Sequence, residues 1–487
     1  MAQRWDRPVV AVWLAAAAFV VALIGAKPYA GGWNDGCRLA AVESLVERGT
    51  FAIDGSVFCG TPARNFETGH LPYPADRYDL HLNGPLDKLF VNGQFHSDKP
   101  AVVNVLMAGL YRSLMLLGAP SPSERPDLFA WILTVFTAGL GYAVAVGCLW
   151  RLGTRIGLEP RLRALWLFAF AFATYAPTYT QHANAHAPQL GTIAVMILLL
   201  LRVADMAKAG AVAWGSLVAL GTLTGLSFNF DFGSGPPLIA AMFLAVVWRT
   251  RRVAPTAVFT LAVLPWLVAA VGINFHISGK WLPMNMYAEH YQWPGSPFST
   301  TNLTGFLRHK PLDQFLYAAA MWFGKHGFLN HNLPTLLLLV AGWGVLRRIT
   351  DGRIEMFAML GWALGAWLMY AVLSNNMGGA CCSVRWFVPY LAPAFWALGL
   401  ALRDRPEQRR PFALLAGFGF VLAAVMWWKG PWTGRMIPMM WPIVGLALIS
   451  WGVMAWREKR EPTASRVSGL HRFLFPARLR GRAKSGF

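Results

Sequence analysis

A succession of apolar segments, each near the length of a bilayer-spanning helix, sets the main limit on how this chain folds. A transmembrane helix needs about 20 mainly apolar residues, with a range near 17–25. The sequence predicts twelve such helices, at about 8–26, 128–150, 163–178, 187–203, 212–229, 233–249, 255–274, 331–347, 355–374, 386–402, 411–428 and 436–456. Only 14% of the 487 residues are charged and 56% are hydrophobic, whereas soluble domains carry about 25% charged residues. We therefore predict an all-α polytopic membrane protein and exclude a soluble fold.

Lysine and arginine residues are concentrated in alternate connecting segments and in the tail 457–487. Segments rich in these residues usually face the cytoplasm, so we expect both termini on the cytoplasmic side. This topology also accounts for the formal net charge of +20. Because no nucleic-acid-binding motif accompanies the charge, nucleic acid is not expected as a partner.

One further apolar segment, about 101–118, is predicted to lie at the outer membrane interface rather than to cross the membrane. If it crossed, every later basic connection would face outward, against the usual charge rule. Residues 27–127 then form one long outer segment, which holds eleven of the 23 acidic residues. We predict a single transmembrane domain, 1–456, with a second sizeable outer segment at 275–330 and a basic cytoplasmic tail, 457–487.

Cys37 and Cys59 lie within the long outer segment. They could form a disulfide if that segment is periplasmic, because oxidising compartments allow disulfides to persist.

Candidate site residues lie at both ends of the polar part of the long outer segment. Asp35 follows the first helix, where a carboxylate could accept a proton from a hydroxyl nucleophile; it could equally cap a helix that starts there. The stretch from His96 to Pro100 precedes the interfacial helix. In it Lys99 offers a compact cation for a phosphate, and Asp98 could orient Lys99 or serve as a second carboxylate. A simple surface ion pair is the alternative.

Other candidates come from later connections. His182 and His186 have helical i, i+4 spacing, which would place them on one helix face and suits hydrogen bonding to a sugar or phosphate. Because no third ligand accompanies them, no metal site is predicted. Asp231 is predicted at an outer helix end, where an ionisable residue suggests function. Lys325 and Arg385 lie in late outer loops, and Arg385 follows a Gly-rich turn at a helix start, an arrangement suited to phosphate.

Four stretches together resemble the GT-C superfamily, which includes the protein O-mannosyltransferases and the aminoarabinose transferases of lipid A. A first helix followed by a long outer loop with an early Asp (Asp35) is one shared feature, and a "(D/E)KP" motif ending that loop (Asp98 to Pro100) is another. The four stretches are "GCRLAAVESLVERGTFAID", "DKLFVNGQFHSDKP", "KHGFLNHNLP" and "GGACCSVRWFVPYLAP".

The resemblance implies a glycosyltransferase of the bacterial inner (cytoplasmic) membrane. It would transfer a sugar from a polyprenyl-phosphate donor to a glycan, lipid or protein acceptor at the periplasmic face, among membrane lipids and with no metal or cofactor. The base role maps onto Asp35, and phosphate binding onto Lys99, Arg385 and His186.

The chain also departs from the family pattern. Ala101 stands where many relatives have a second proline, and the second outer loop offers His182 and His186 rather than an acidic residue. A transporter or flippase of lipid-linked saccharides, a ligase or polymerase of periplasmic glycan assembly, and a non-enzymatic scaffold stay as alternatives.

Overall fold

The computed structural model describes residues 8–299, 310–374 and 376–460. Nearly all of the predicted basic tail, 457–487, and part of the predicted outer segment, 275–330, therefore lie outside the described residues. The first half contains helices α1 Pro8–Gly25, α2 Trp33–Glu47, α3 Ala63–Thr68, α4 Tyr78–Asn83, α5 Ala101–Met115, α6 Pro126–Thr134, α7 Leu140–Arg155, α8 Pro160–Phe172, α9 His186–Lys208, α10 Trp214–Phe230 and α11 Gly235–Thr250. The second half contains α12 Val253–Ser278, α13 Pro311–Phe323, α14 Phe328–His331, α15 Leu338–Arg348, α16 Arg353–Leu373, α17 Leu391–Asp404, α18 Arg409–Lys429 and α19 Met440–Arg460.

Seven helices in the described ranges are long and apolar enough to cross a membrane. They are Pro8–Gly25, Pro126–Arg155, His186–Lys208, Val253–Ser278, Arg353–Leu373, Pro406–Lys429 and Met440–Glu458. An eighth crossing is obtained if the bent pair Pro311–His331 and Leu333–Arg348, which turns by 112°, is counted as one span. The chain is thus a mainly α-helical, multi-pass membrane protein.

The predicted total of twelve spans is not confirmed, although every predicted segment is largely helical. Proline shortens two of the predicted helices. The segment predicted at 163–178 ends as a helix at Phe172 and continues as a 3₁₀ turn, Ala176–Thr180, which contains Pro177. The segment predicted at 386–402 likewise begins with a 3₁₀ turn, Arg385–Tyr390, that contains Pro389. Proline removes a backbone donor and disfavours a continuous helix.

Residues 27–127, the segment predicted to lie outside the membrane, fold around a small core of their own. Helices α2 and α5 pack against each other, and buried side chains from α2, α5 and α6 form this core, among them Leu39, Val42, Met107, Tyr111 and Phe129. The chain between α4 and α5 forms an antiparallel hairpin of β1, Lys88–Val91, and β2, Gln94–Ser97. The hairpin was not predicted from the sequence.

Two polar residues that interrupt the apolar run at 101–118 have structural roles in α5. Asn104 accepts a hydrogen bond from Arg38 of α2 at 3.5 Å. Arg112 donates to the carbonyl oxygens of Leu45 and Val46 at 3.0 and 3.1 Å, so it satisfies acceptors at the C-terminus of α2. These contacts tie α5 to another helix of the outer segment. They are consistent with the predicted interfacial position, which stays a prediction.

Glycines allow a close contact between helices α7 and α9. A Cβ atom built on Gly191 of α9 would lie 2.4 Å from the carbonyl oxygen of Gly141 on α7, and one built on Gly141 would lie 2.5 Å from that of Ala187. Small residues allow this backbone approach in membrane helices. The contact fixes the start of α9, where His186 lies.

Cys37 and Cys59 are both free thiols in the structure. The thiol of Cys37 donates to the carbonyl oxygen of Asp87 at 2.6 Å. The two cysteines therefore do not form the disulfide that their position allowed.

Candidate functional site

A polar cleft lies where the outer segment meets the late loops. Its volume is about 580 Å³, and its walls include Asn34, Asp87, Asp98, Lys99, Arg385 and Trp386. The start of α2, the two ends of the hairpin and the loop before α17 thus contribute to one cavity. Among the residues predicted from the sequence, the cleft brings together Asp98, Lys99 and Arg385.

Lys99 is the best-buried cation lining the cleft, with 8% of its side chain exposed. Its Nζ atom donates to Asp87 Oδ2 and to Asp98 Oδ2, each at 2.9 Å. Burial by itself lowers the pKa of Lys99, but Asp87 and Asp98 outweigh that effect and the pKa is raised. Lys99 therefore carries a full positive charge in a largely dry position.

Asp98 is the carboxylate with the strongest electrostatic perturbation in the cleft. Burial raises its pKa to about 6; the charge of Lys99 opposes this increase and that of Asp87 adds to it. Both carboxylate oxygens lie 2.9 Å from Lys99 Nζ, but Oδ1 lacks hydrogen-bond geometry. Asp98 thus lines the cleft with 17% of its side chain exposed, and it has a pKa close enough to neutrality for proton transfer.

Arg385 and Asn34 line the cleft beside Lys99. The Arg385 guanidinium lies 5.7 Å from the centroid of the Trp432 ring. With its amide oxygen turned toward the surrounding donors, Asn34 accepts from Arg385 Nη1 at 3.0 Å and from Lys99 Nζ at 3.2 Å. That orientation is the one the hydrogen-bond network requires. Asn34 therefore lies between Lys99 and Arg385 and bridges them by accepting a hydrogen bond from each.

Arg38 is a third cation near the cleft that the sequence interpretation missed. Only 3% of it is exposed, and its Nε atom has no hydrogen-bond partner in the described part of the chain. Burial lowers the pKa of Arg38 to about 10, so the guanidinium stays charged at neutral pH. Arg38 follows Asn34 by four residues on α2, and this helical spacing could have predicted that they share a face.

Asp35 is fully buried and caps α2. Its two oxygens accept from the backbone N–H groups of Gly31 at 2.7 Å and Gly32 at 3.0 Å, as expected for an acidic residue in a helix first turn. His182 Nδ1 lies 3.0 Å from Asp35 Oδ2, without hydrogen-bond geometry. Asp35 does not line the cleft. The capping interpretation is confirmed, and the base role of Asp35 stays a prediction.

The predicted pairing of His182 and His186 on one helix face is wrong. Helix α9 begins at His186, and residues 181–185 are not helical because Asn184 turns the chain. The Asn184 side chain accepts from the N–H groups of His186 at 2.9 Å and Ala187 at 3.0 Å. The two rings therefore have separate environments.

His186 is the ring that lies close to the cation cluster. It is buried, with 7% of the residue exposed, and it interacts electrostatically with Arg385, Arg38 and Lys99. Its Nδ1 atom has no partner among the described residues. His186 is thus placed to add a hydrogen bond to an anion held by these cations.

Asp231 contributes to the cleft indirectly. It accepts hydrogen bonds from the Tyr370 hydroxyl and, at 3.1 Å, from the Gly233 N–H. The Tyr370 ring stacks on Trp386 with centroids 4.2 Å apart and planes at 1°. Because Trp386 lines the cleft next to Arg385, Asp231 holds a wall of the cleft in place.

Two predicted residues lie outside the cleft. Lys325 is exposed and does not line the cavity. His96 is buried on β2, near the charges of Asp54 and His290. Neither residue contributes to the cleft walls, so their predicted substrate contacts have no support in its geometry.

An apolar groove of about 290 Å³ runs along α5, α7, α9 and α10. Its walls include Leu106, Met107, Leu140, Pro188 and Phe230, together with Val103 and Asn184. Val103 precedes Asn104, the hydrogen-bond partner of Arg38, and Asn184 lies two residues before His186, so this part of the groove wall adjoins residues that contact the cation cluster. Across the described ranges, no group of three or more His, Cys, Asp or Glu side chains suits a metal ion.

Comparisons with known proteins return matches only among solved structures. No family model matches the sequence, and no curated protein does. The fold is similar to ArnT from Cupriavidus metallidurans, with TM-scores of 0.46 in the apo state and 0.48 bound to undecaprenyl phosphate. Both comparisons have 13% identity and cover 91% of this chain, with 74% and 75% of the other chain.

A second similar structure is the oligosaccharyltransferase from Archaeoglobus fulgidus in its apo form. The TM-score is 0.48 at 13% identity, covering 87% of this chain and 56% of that protein. At this similarity the chemistry has to be assigned from the residues of the cleft.

Proposed function

We propose that this protein is a membrane glycosyltransferase that moves a sugar from a polyprenyl-phosphate donor to an acceptor hydroxyl at the periplasmic face. The observation that carries the proposal is the cluster of Lys99, Arg38 and Arg385 beside the Asp98 carboxylate, next to an apolar groove. A polyprenyl phosphate combines the two chemistries that such a site accommodates, an anionic headgroup and a long hydrocarbon chain.

The phosphate would compensate charges that the protein leaves unpaired. Within the described residues, neither Arg38 nor Arg385 forms an ion pair, whereas Lys99 has two carboxylate partners. A buried charge without a counter-charge is costly, and an incoming phosphate supplies the missing negative charge. Arginine also binds phosphate through paired N–H donors.

In the proposed reaction the acceptor oxygen attacks the anomeric carbon of the donor sugar. A new carbon–oxygen bond forms, the bond between that carbon and the phosphate oxygen breaks, and the phosphate leaves with the electron pair. Lys99, Arg385 and Arg38 stabilise the charge that develops on the phosphate, the kind of contribution worth about 2.7–4 kcal/mol for one preorganised donor. Asp98 takes the acceptor proton.

The geometry favours Asp98 over Asp35 as the base. Asp98 lines the cleft with 17% of its side chain exposed, whereas the Asp35 side chain is 1% exposed. Asp35 is turned away and bound by two backbone N–H groups, so its proposed role becomes the positioning of α2, and with it Asn34 and Arg38.

The donor's hydrocarbon chain would occupy the groove between α5, α7, α9 and α10. Its apolar walls match an isoprenoid chain, and the phosphate end of the chain would lie near the walls at Val103 and Asn184, which adjoin Asn104 and His186. The acceptor, a glycan, lipid or protein hydroxyl, would enter from the aqueous side of the cleft past Trp386.

The proposal includes the membrane orientation. Both termini would be cytoplasmic in the bacterial inner membrane, with twelve crossings in one domain, 1–456, and residues 27–127 and 275–330 outside. An engineered cysteine at Ser121 should react with an impermeant reagent added to intact cells, and one at the exposed Glu159, between α7 and α8, should not. The reverse labelling pattern would contradict this orientation.

Transfer itself is tested with purified full-length protein and radiolabelled polyprenyl-phosphate sugars in the presence of bacterial membrane extract. We expect label covalently attached to an acceptor, and a loss of at least about a hundredfold for Asp98→Asn. Label that crosses a vesicle membrane without covalent change would indicate a flippase instead. Transfer of a whole lipid-linked glycan rather than one sugar would indicate a ligase or polymerase.

A further inference from the structure

A second candidate binding site lies at the far ends of α11 and α12, away from the polar cleft. The two helices are joined by Arg251 and Arg252 alone. Arg251 has a left-handed backbone with φ of +50°, which makes the hairpin tight and keeps both side chains at the helix ends. Both arginines are exposed.

Two apolar grooves flank this hairpin. One, of about 720 Å³, lies between α11 and α12 and is lined by Val247, Trp248, Val253 and Ala257 together with the two arginines. The other, of about 400 Å³, lies on the opposite side of α11 against α16. Trp248 contributes to both grooves and is 64% exposed, so it separates them.

The positive charges at the ends of the two grooves are only partly neutralised by carboxylates. Arg249, two residues earlier, pairs with the buried Glu355 through two hydrogen bonds, one at 2.7 Å. By contrast, no carboxylate of the described residues pairs with Arg251 or Arg252. Arg353 adds a third positive charge at the start of α16, with its guanidinium 5.8 Å from the ring centroid of Phe357 in the second groove.

We propose that this hairpin binds an anionic phospholipid. The phosphate headgroup lies against Arg251 and Arg252, and the acyl chains occupy the grooves on either side of Trp248. The charges of Arg251 and Arg252 favour a lipid with an anionic headgroup. The two apolar grooves favour a lipid with two hydrocarbon chains. The exposed Trp248 has the amphipathic character that suits the membrane–water interface. This site is independent of the transfer chemistry.

Native mass spectrometry of the delipidated full-length protein tests the proposal. The protein is titrated with phosphatidylglycerol and, separately, with phosphatidylcholine. We expect preferential binding of phosphatidylglycerol. The double variant Arg251→Gln/Arg252→Gln should lose roughly thirtyfold of that affinity, because each basic residue contributes a factor of a little over about five. Excess inorganic phosphate should not displace the lipid, because it lacks the chains.

Two further variants make the result specific. Ala257→Trp fills the larger groove and leaves both arginines in place, so it should weaken phosphatidylglycerol binding without changing the charge. Arg347→Gln/Arg348→Gln removes a comparable exposed basic pair at the end of α15 and should leave the affinity unchanged. Equal binding of the two lipids, or equal loss in the two arginine-pair variants, would overturn the proposal.

Discussion

Lys99 Nζ lies 2.9 Å from Asp87 Oδ2, and this ion pair joins the two ends of the β-hairpin. Asp87 precedes β1 and Lys99 follows β2, so the hairpin serves to present both side chains to the cleft. The arrangement explains why a short pair of strands occurs in an otherwise helical protein. It also makes Lys99 the residue whose loss should affect transfer most directly.

Replacement of Lys99 by methionine is expected to lower kcat by about 10²–10³, because one preorganised charge at the leaving phosphate is lost. Lys99→Arg should restore only part of the rate, since the planar guanidinium does not reproduce a compact ammonium. Transfer kinetics with a labelled donor measure both effects. Lys280→Met is the matched control, because Lys280 is a partly exposed lysine that pairs with Glu289 away from the cleft. A similar loss in both methionine variants would contradict the assignment.

In the proposed reaction Asp98 has to be ionised to accept a proton, so transfer should decline at acidic pH. Its pKa is raised to about 6, so the ionised fraction falls tenfold for each pH unit well below 6. The logarithm of kcat/KM should therefore fall with a slope near one below pH 6 and be level from pH 7 to 8. Asp98→Asn should remove this dependence along with most of the activity. If the residual activity of Asp98→Asn kept the same dependence on pH, the pKa would belong to another group.

The sequence predicted the helical membrane fold because long apolar segments leave few alternatives. The exact ends of the membrane-spanning helices could not be predicted from hydropathy. Hydropathy does not register where Pro177 or Pro389 replaces a helical turn by a 3₁₀ turn. It also does not reveal that Pro311–His331 and Leu333–Arg348 meet at 112°, since the bend depends on tertiary contacts.

The candidate site was predicted only in part, because local sequence patterns do not report tertiary contacts. Lys99, Asp98 and Arg385 could be recognised from their chemistry and local motifs, and the structure brings them together. Arg38 was missed because a basic residue within a helix has no motif, although its spacing from Asn34 was a usable signal. The histidine pair failed because the Asn184 cap interrupts the expected helix, an effect of side-chain hydrogen bonding that i, i+4 spacing alone does not predict.

Tyr370→Phe should destabilise the protein by about 1–3 kcal/mol, because the half-buried Asp231 loses a hydrogen bond from the Tyr370 hydroxyl. The ring is kept, so stacking on Trp386 persists and the cleft wall should change little. Thermal unfolding in detergent should therefore shift, while KM for the donor should stay within about twofold. Tyr370→Ala removes the stack as well and should raise KM. If both variants raised KM equally, the hydroxyl itself would be required for substrate binding.

Gly191→Ala should separate α7 from α9, because the new Cβ would lie 2.4 Å from the carbonyl oxygen of Gly141. Backbone atoms cannot move aside as a flexible side chain can, so the helices have to shift. Overpacking of this kind typically costs about 1–3 kcal/mol, which a lower melting temperature would report. Gly417→Ala, on an exposed face of α18 with nothing within 4 Å of the added atom, should cause no loss. Since α9 begins at His186, Gly191→Ala should also reduce transfer. Unchanged stability and activity would show that the close glycine contact is not required.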